Sequence, residues 1–216
     1  MKVFIPIKEK SQRVPNKNFR LFAGQPLWRH TVSKFCKNHE VYIDTDSEYL
    51  IEAIKSDSDL CDKVTVYKRE ESLLGHNTPV IDLIYSFVEK FSIKEPIAQI
   101  HVTSPFLSEE TLSSAFTAMG NHDSVVSCNI HNSRFWRKES YGMCPINHNP
   151  MKLEQTQDLP ALYEENSCFY IFNPEVIKYG NRIGKTPLFY PTNRLESHDI
   201  DTEKDWEAAI KLLERK

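Results

Sequence analysis

The chain alternates short apolar runs with longer segments whose apolar positions repeat at helical spacing. Four of the short runs have the length and β-branched content of strands, at residues 2–7, 40–43, 64–67 and 97–102. Helices are predicted between and after them, over residues 26–37, 48–55, 79–91 and 109–119. Such alternation is typical of a mostly parallel sheet that binds ligands at the carboxyl ends of its strands.

The pattern changes in the second half of the chain. A strand is predicted over 124–130, but residues 131–160 mix aromatic, charged and proline residues without a sustained period. A connection of about 30 residues is unusually long, so this segment is predicted to be an insertion that serves as a substrate lid or a dimer-forming arm. A strand over 168–172 and a helix that starts at a capping-box-like Thr202 complete one predicted α/β domain, 1–216.

Composition narrows the class of protein. The net charge of −3 argues against a general nucleic-acid binder, and the apolar runs are too short and interrupted to span a membrane. The N-terminus lacks the features of a secretory signal, so a cytoplasmic protein is expected. The five cysteines are widely spaced, odd in number and free of any C-x-x-C pair, which predicts reduced thiols.

The first 20 residues carry a local positive charge. They hold six lysines and arginines against the single acidic residue Glu9. Much of this charge lies in the loop 8–18 directly after the first predicted strand, where cations can converge on the phosphates of a nucleoside triphosphate. The loop has neither P-loop nor G-x-G-x-x-G spacing, and a merely solvated basic loop is the alternative.

Several motifs occur together in one order along the chain. They are the opening segment 5–8 with Ser11, Pro15, Lys17 and Asn18, then Gly24-Gln25-Pro26-Leu27, the segment 42–47, Thr103-Ser104-Pro105, Leu159-Pro160 with Asn166, and the segment 199–203. In this order and spacing the chain resembles the acylneuraminate cytidylyltransferases, the CMP-sialic acid synthetases. The resemblance covers essentially the whole chain and implies a Rossmann-like three-layer α/β/α nucleotidyltransferase fold.

The resemblance also implies an activity and its site. An acidic sugar would attack the α-phosphate of CTP and expel pyrophosphate, for surface polysaccharide biosynthesis, in a homodimer. Lys8, Ser11, Lys17, Asn18 and Arg69 would bind the nucleotide, His101, Ser104 and Asn166 would contact the acceptor, and Lys17 and Asp201 would be catalytic.

The acidic pair Asp199 and Asp201 has its own chemical argument. Alternate residues of an extended segment point to the same side, and two carboxylates so placed can bind a Mg²⁺ ion that also holds phosphate oxygens. Asp201 or Thr202 could instead cap the last helix. The competing pair Asp44 and Asp46 is interpreted mainly as turn and helix-capping chemistry.

Departures from the family pattern concentrate on the sugar pocket. Lys10, Arg13, His101 and Leu107 differ from the family's residues, and segment 155–160 lacks the arginine that clamps the carboxylate of sialic acid. We therefore expect another nonulosonic or ulosonic acid, or a small phosphorylated or phosphonate acceptor. Arg134, Arg137 and Lys138 of the insertion could supply the missing positive charge.

Two other functions remain open from the sequence. A nucleotide-sugar glycosyltransferase would use an Asp-x-Asp metal motif on a related scaffold, and it would release no pyrophosphate. A noncatalytic module would bind the nucleotide without turnover. The scaffold alone does not separate these possibilities, because one fold supports many reactions.

Overall fold

The computed structural model describes residues 1–75 and 77–214 and is built around one seven-stranded sheet. The strands, in chain order, are β1 Lys2–Ile7, β2 Leu21–Phe22, β3 Gln25–Pro26, β4 Glu40–Thr45, β5 Val64–Lys68, β6 Ile97–Ile100, β7 Ser124–His131, β8 Trp136–Glu139, β9 Gly142–Pro145, β10 Leu162–Phe172 and β11 Pro187–Pro191. The helices are α1 Leu27–Phe35, α2 Glu48–Ser56, α3 Val80–Phe91, α4 Glu109–Ala118 and α5 Glu203–Leu213.

The central sheet is mostly parallel, as predicted. Its order is β11-β7-β10-β6-β1-β4-β5. The pairs β1 with β4, β1 with β6, β4 with β5 and β11 with β7 are parallel, while β10 runs antiparallel to both of its neighbours. The predicted fold class is confirmed.

Helices cover both faces of the sheet because successive strand side chains point to opposite sides. Val3, Ile5 and Ile7 of β1 pack into one core cluster with apolar residues of α1, α2 and α4. Phe4 points the other way, into a cluster with α3, and its ring stacks on Phe87 with centroids 4.7 Å apart. The three layers follow from this alternation.

The predicted elements of the first half agree with the structure to within a few residues, whereas the second half differs more. Strand β10 begins six residues earlier than predicted, and the insertion 131–160 contains the exposed hairpin of β8 and β9. Strand β11 was not predicted, because Pro187 and Pro191 bound it and proline is unfavourable in a strand interior. Its position at the sheet edge makes these prolines tolerable.

The strand order creates a crevice at the carboxyl edge of the sheet. From β1 the chain first adds β4 and β5 on one side and then returns to place β6 on the other side. The loops that leave β1 and β6 therefore diverge, which is the arrangement where open α/β sheets bind ligands. Separately, none of the helices within 1–75 and 77–214 is long and apolar enough to cross a membrane.

The capping box of α5 gives a test of local stability. The Thr202 hydroxyl accepts a hydrogen bond from the Asp205 amide, and the Asp205 carboxylate accepts one from the Thr202 amide. We expect Thr202→Ala to lower the free energy of unfolding by about 1 kcal/mol, as measured by urea denaturation. Thr202→Ser keeps the hydroxyl and should stay close to the wild type; equal losses in both variants would contradict the capping role.

Candidate functional site

A cleft of about 300 Å³ opens at the crevice between the ends of β1 and β6. One wall is the basic loop 8–18, and the facing wall includes residues 101–103 after β6. Arg69, which follows β5, also lines the cleft. The predicted nucleotide-binding residues Lys8, Ser11, Lys17, Asn18 and Arg69 thus all lie on the surface of one cavity, although their role stays a prediction.

Apolar packing fixes the basic loop. Val14 is fully buried in a cluster with Phe22, Ile200 and Trp206, so the middle of the loop is held against the segment that precedes α5. That segment is in turn bound to the loop after β6, because the amide of Ile200 donates to the carbonyl oxygen of Thr103 at 2.9 Å. The three segments around the cleft are therefore held in contact by one apolar cluster and one backbone hydrogen bond.

Opposite charges meet where these segments touch. Arg13 donates two hydrogen bonds to the carboxylate of Asp201, at 3.0 and 2.8 Å. The Lys17 ammonium lies 3.8 Å from the same carboxylate and donates to the carbonyl oxygen of Ile200 at 2.5 Å. The basic loop and the acidic pair, far apart in sequence, are therefore close enough for one ligand to contact both.

Lys17 is held in a partly desolvated position. Burial lowers the pKa of its ammonium group below the ordinary value, and the charges of Asp201 and Asp199 counter part of that change. A lysine in such a position gains most from an additional anion, since Coulomb interactions strengthen where water is excluded.

Asp199 and Asp201 both lie near Lys17 but outside the residues that line the cleft, and their role as a metal pair stays a prediction. Burial raises the pKa of Asp199, and a hydrogen bond from Thr103 opposes this rise. The nearby charge of Asp201 raises it further, so the two carboxylates repel one another. Such a pair of hard oxygen donors fits a divalent cation that completes its shell with phosphate oxygens and water. No group of three or more His, Cys, Asp or Glu side chains gathers as a metal site within the described residues.

Arg69 forms a buried ion pair with Asp44. Their side chains expose only 1% each, and Nε of Arg69 donates to Oδ1 of Asp44. The interpretation of Asp44 as turn or capping chemistry is therefore wrong: Asp44 lies in β4, and Ser47 caps α2. Arg69 is itself buried. The sequence signal for Asp44 was its position at the end of a parallel strand.

Polar atoms without a partner remain beside this ion pair. Among the residues that the structure describes, Nη1 of Arg69, Oδ2 of Asp44, the hydroxyl of Tyr67 and Oδ1 of Asn18 are buried and make no hydrogen bond. Because unpaired buried polar groups are costly, the two that belong to residues lining the cleft, Nη1 of Arg69 and Oδ1 of Asn18, are suited to a polar ligand there. Asn18 also uses its amide nitrogen to donate to the carbonyl oxygen of Lys8, which shapes the loop.

His101 is the predicted acceptor-binding residue that lines the cleft. Burial, followed by the positive charges of Arg182 and Lys17, lowers the pKa of its imidazole to about 4. The ring is therefore neutral near pH 7. Its Nε2 lies 2.7 Å from the side-chain nitrogen of Gln99.

Ser104 and Asn166 lie outside the lining of this cleft. Ser104 is buried, and the amide nitrogen of Asn166 donates to Asn129 and Thr192. The Asn166 side chain thus ties β10 to β7 and to the loop after β11, and the predicted contact of both residues with the acceptor stays a prediction. Arg134, Arg137 and Lys138 also lie outside the cleft lining, on or next to the β8–β9 hairpin.

The buried ion pair leads to a stability test. We expect Asp44→Ala to lower the free energy of unfolding by about 3–5 kcal/mol, because it leaves the Arg69 guanidinium buried and unpaired. In the double variant Asp44→Ala with Arg69→Met, most of this loss should be recovered. The free energy of unfolding is measured by guanidinium chloride denaturation for Asp44→Ala, Arg69→Met and the double variant. A small loss of this free energy in Asp44→Ala alone would contradict the burial of the pair.

The lowered pKa of His101 predicts a pH dependence of stability. Between about pH 6.5 and pH 4 the unfolded chain binds a proton that the folded chain excludes, so His101 makes the protein less stable as the pH falls. His101→Gln removes this effect. We expect the variant to gain stability relative to the wild type from about pH 7.5 to about pH 5. The exposed His122, replaced in His122→Gln, serves as the control; a pH-independent difference for His101→Gln would contradict the assignment.

Comparison with known proteins identifies the family of this chain. A sequence profile for cytidylyltransferases matches residues 3–216. The chain is 31% identical over 210 residues to N-acylneuraminate cytidylyltransferase A of Danio rerio, covering 92% of this chain and 47% of that protein. It is 31% identical over 232 residues to the CMP-N,N'-diacetyllegionaminic acid synthase of Legionella pneumophila, and this match covers 97% of this chain and 94% of that protein. The chain thus spans about half the length of the Danio protein and nearly all of the Legionella protein.

Solved structures share the fold at low identity. A CMP:2-keto-3-deoxy-manno-octonic acid synthetase solved with CTP superposes with a TM-score of 0.67 at 12% identity, covering 99% of this chain and 98% of that one. A 4-diphosphocytidyl-2C-methyl-D-erythritol synthase superposes with a TM-score of 0.65 at 13% identity, covering 98% of each chain. On the profile match and the two relatives, this chain belongs to the cytidylyltransferase family.

Proposed function

We propose that this chain transfers CMP from CTP to an acidic sugar and releases pyrophosphate. The observation that carries the proposal is that Arg13 and Lys17, two residues of the basic loop that line the cleft, both contact the carboxylate of Asp201 in the acidic segment. Both named relatives and the structure solved with CTP have acids in their printed names, which supports an acidic acceptor.

The nucleotide is proposed to lie along the basic loop. Lys8, Ser11 and Asn18 contact the phosphates and ribose, and the unpaired Nη1 of Arg69 donates to the cytosine. The Asp44 carboxylate holds Arg69 from behind, so the guanidinium is already oriented before the base arrives. Orientation of this kind reduces the entropy cost of binding.

Lys17 is the proposed catalytic cation. It stabilises the negative charge that develops on the α-phosphate when the acceptor hydroxyl forms its new bond to phosphorus and the bond to the β-phosphate breaks. Its partial burial strengthens this effect. Asp199 and Asp201 would hold a Mg²⁺ ion, which neutralises charge on the phosphates and the departing pyrophosphate when bound.

Arg13 must leave Asp201, or share it, for the carboxylate to serve the metal. Its side chain is 66% exposed, so it can move without opening the core. An exposed ion pair of this kind contributes about 0–1 kcal/mol, which a bound metal ion and triphosphate can readily replace.

The acceptor is proposed to be an acid other than sialic acid, because segment 155–160 lacks arginine. His101 contacts it from the cleft wall, with Ser104 and Asn166 as further predicted contacts. We also propose a cytoplasmic homodimer. The free cysteines fit a reducing compartment, and the insertion 131–160 exposes large apolar side chains of the kind that dimers bury, among them Trp136, Met143, Ile146 and Leu153.

The function is tested by pyrophosphate release with each of the four nucleoside triphosphates against a panel of acidic sugars and phosphorylated or phosphonate acceptors. We expect Mg²⁺-dependent release only with CTP and one class of acid. Consumption of a nucleotide-sugar without pyrophosphate would indicate a glycosyltransferase. CTP binding without turnover across the panel would indicate a noncatalytic module.

The proposed metal-binding role of Asp201 is tested by a substitution. Asp201→Ala should lower turnover by at least about 100-fold, because it removes a ligand that acts on the transferring phosphate. The control is Asp59→Ala, which likewise removes a carboxylate paired with an arginine, here Arg29, but lies in the turn after α2 and not near Lys17. Turnover near the wild-type value in Asp201→Ala would remove the metal role.

A further inference from the structure

A chain of three polar side chains runs from the surface into the cleft wall. Arg182 lies flat over the ring of Tyr170, with its guanidinium carbon 3.6 Å from the ring centroid, and its Nη1 donates to Oε1 of Gln99. Gln99 is fully buried on β6, where it pairs with Tyr170 of β10. Its side-chain nitrogen meets Nε2 of His101 at 2.7 Å.

The chemistry of these groups fixes the direction of every hydrogen bond. A guanidinium can only donate, so the Gln99 oxygen must face Arg182 and accept. The other end of the amide, an NH₂ group that can only donate, then faces His101. Nε2 of His101 must therefore be the bare, accepting nitrogen, and in a neutral ring the proton is carried by Nδ1.

The Nδ1–H group of His101 donates to no acceptor among the described residues. Within 1–75 and 77–214, the hydrogen bond to Gln99 is the only one that the His101 ring makes. The ring lines the nucleotide cleft, so its Nδ1–H group is available to a ligand there. The low pKa of His101 agrees with a neutral ring that does not take up a second proton near pH 7.

Arg182 contacts Gln99 and Tyr170 but forms no ion pair with a described residue. Burial lowers the pKa of its guanidinium, a sign of a costly position, and the interactions with Tyr170 and Glu165 counter only part of this cost. No carboxylate lies within salt-bridge distance of it in the part of the chain that the structure describes. Its directed contacts are the stack on Tyr170 and the hydrogen bond to Gln99.

We propose that Arg182 is a positioning residue that acts through Gln99 to hold His101 as the neutral Nδ1–H tautomer, so that the cleft offers a hydrogen-bond donor to an oxygen of the acceptor. The tautomer follows from the three side chains alone. The identity of the ligand as the acceptor of CMP rests on the function proposed above.

This tautomer determines which acceptors the cleft favours and which role His101 can have in the reaction. A site that presents N–H favours an acceptor with a carboxylate, carbonyl or other accepting oxygen at this point, and it disfavours an analogue that lacks that oxygen. His101 does not act as a general base, because its one free lone pair is already occupied by the Gln99 amide.

The decisive variant is Gln99→Glu, which keeps the shape of the side chain and reverses one hydrogen bond. A carboxylate accepts from Arg182 and also from His101, so the imidazole proton must move to Nε2 and Nδ1 becomes the bare nitrogen. Arg182→Met releases the Gln99 amide, so it should give a mixture of tautomers. Arg182→Lys keeps a donor toward Gln99 and should preserve the wild-type tautomer.

The tautomer is measured without any substrate. Long-range ¹⁵N–¹H spectra of protein labelled at histidine distinguish Nδ1–H from Nε2–H rings, and the His101 signals are assigned by their loss in His101→Gln. At about pH 8, where histidine is neutral, we expect Nδ1–H in the wild type and Nε2–H in Gln99→Glu. The control is Arg29→Met, which also removes an arginine that donates to a glutamine oxygen, that of Gln25 at 2.8 Å. It should leave His101 unchanged.

The kinetic consequence is measured separately. In Gln99→Glu and Arg182→Met, kcat/KM for the acceptor should fall about 10-fold or more, while the KM for CTP changes less than about twofold. An Nε2–H ring in the wild type, or an unchanged tautomer in both variants, overturns the inference. If the spectra agree but no acid is a substrate, the proposed function fails while the positioning by Arg182 stands.

Discussion

The burial of Val14 and Ile200 in one apolar cluster decides the geometry of the cleft. Val14 is the apolar residue in the middle of a basic loop, and Ile200 separates the two aspartates of the acidic segment. Burying both side chains brings Arg13 of the basic loop, which lines the cleft, into contact with Asp201 of the acidic segment. The hydrophobic effect thus assembles an electrostatic site that charge attraction between exposed side chains would be too weak to hold.

The charged groups of the cleft differ in how deeply they are buried. Exposed or partly exposed charges, such as Arg13 and Lys8, line the entrance and can rearrange around a ligand. Behind them lie buried groups that hydrogen-bond one another, the Arg69–Asp44 ion pair and the Gln99–His101 pair, both set in the carboxyl-end region of parallel strands. Rigid groups behind mobile ones are what a transferase needs, because positioning and fixed dipoles supply most of its acceleration.

The fold could be predicted from the sequence in its first half because each element there has a clear period and a cap. Strand β11 was missed because prolines bound it, and the elements within 131–160 were missed because that segment has no regular period. Within the site, the loop 8–18 was found from its charge and its place after β1. Asp44 was misread as turn chemistry, since its partner Arg69 is 25 residues away and nothing local distinguishes a buried aspartate from a capping one.

The sequence by itself determined the alternation of strands and helices, the basic loop, the acidic pair and the family to which these motifs belong. Periodicity and motif spacing are local properties, so they can be read along the chain. Only the tertiary structure decided that Arg13 meets Asp201 across 188 residues and that Arg182 reaches Gln99 across 83. Such contacts depend on how the loops pack against the sheet, and no local pattern encodes which donor will face which acceptor.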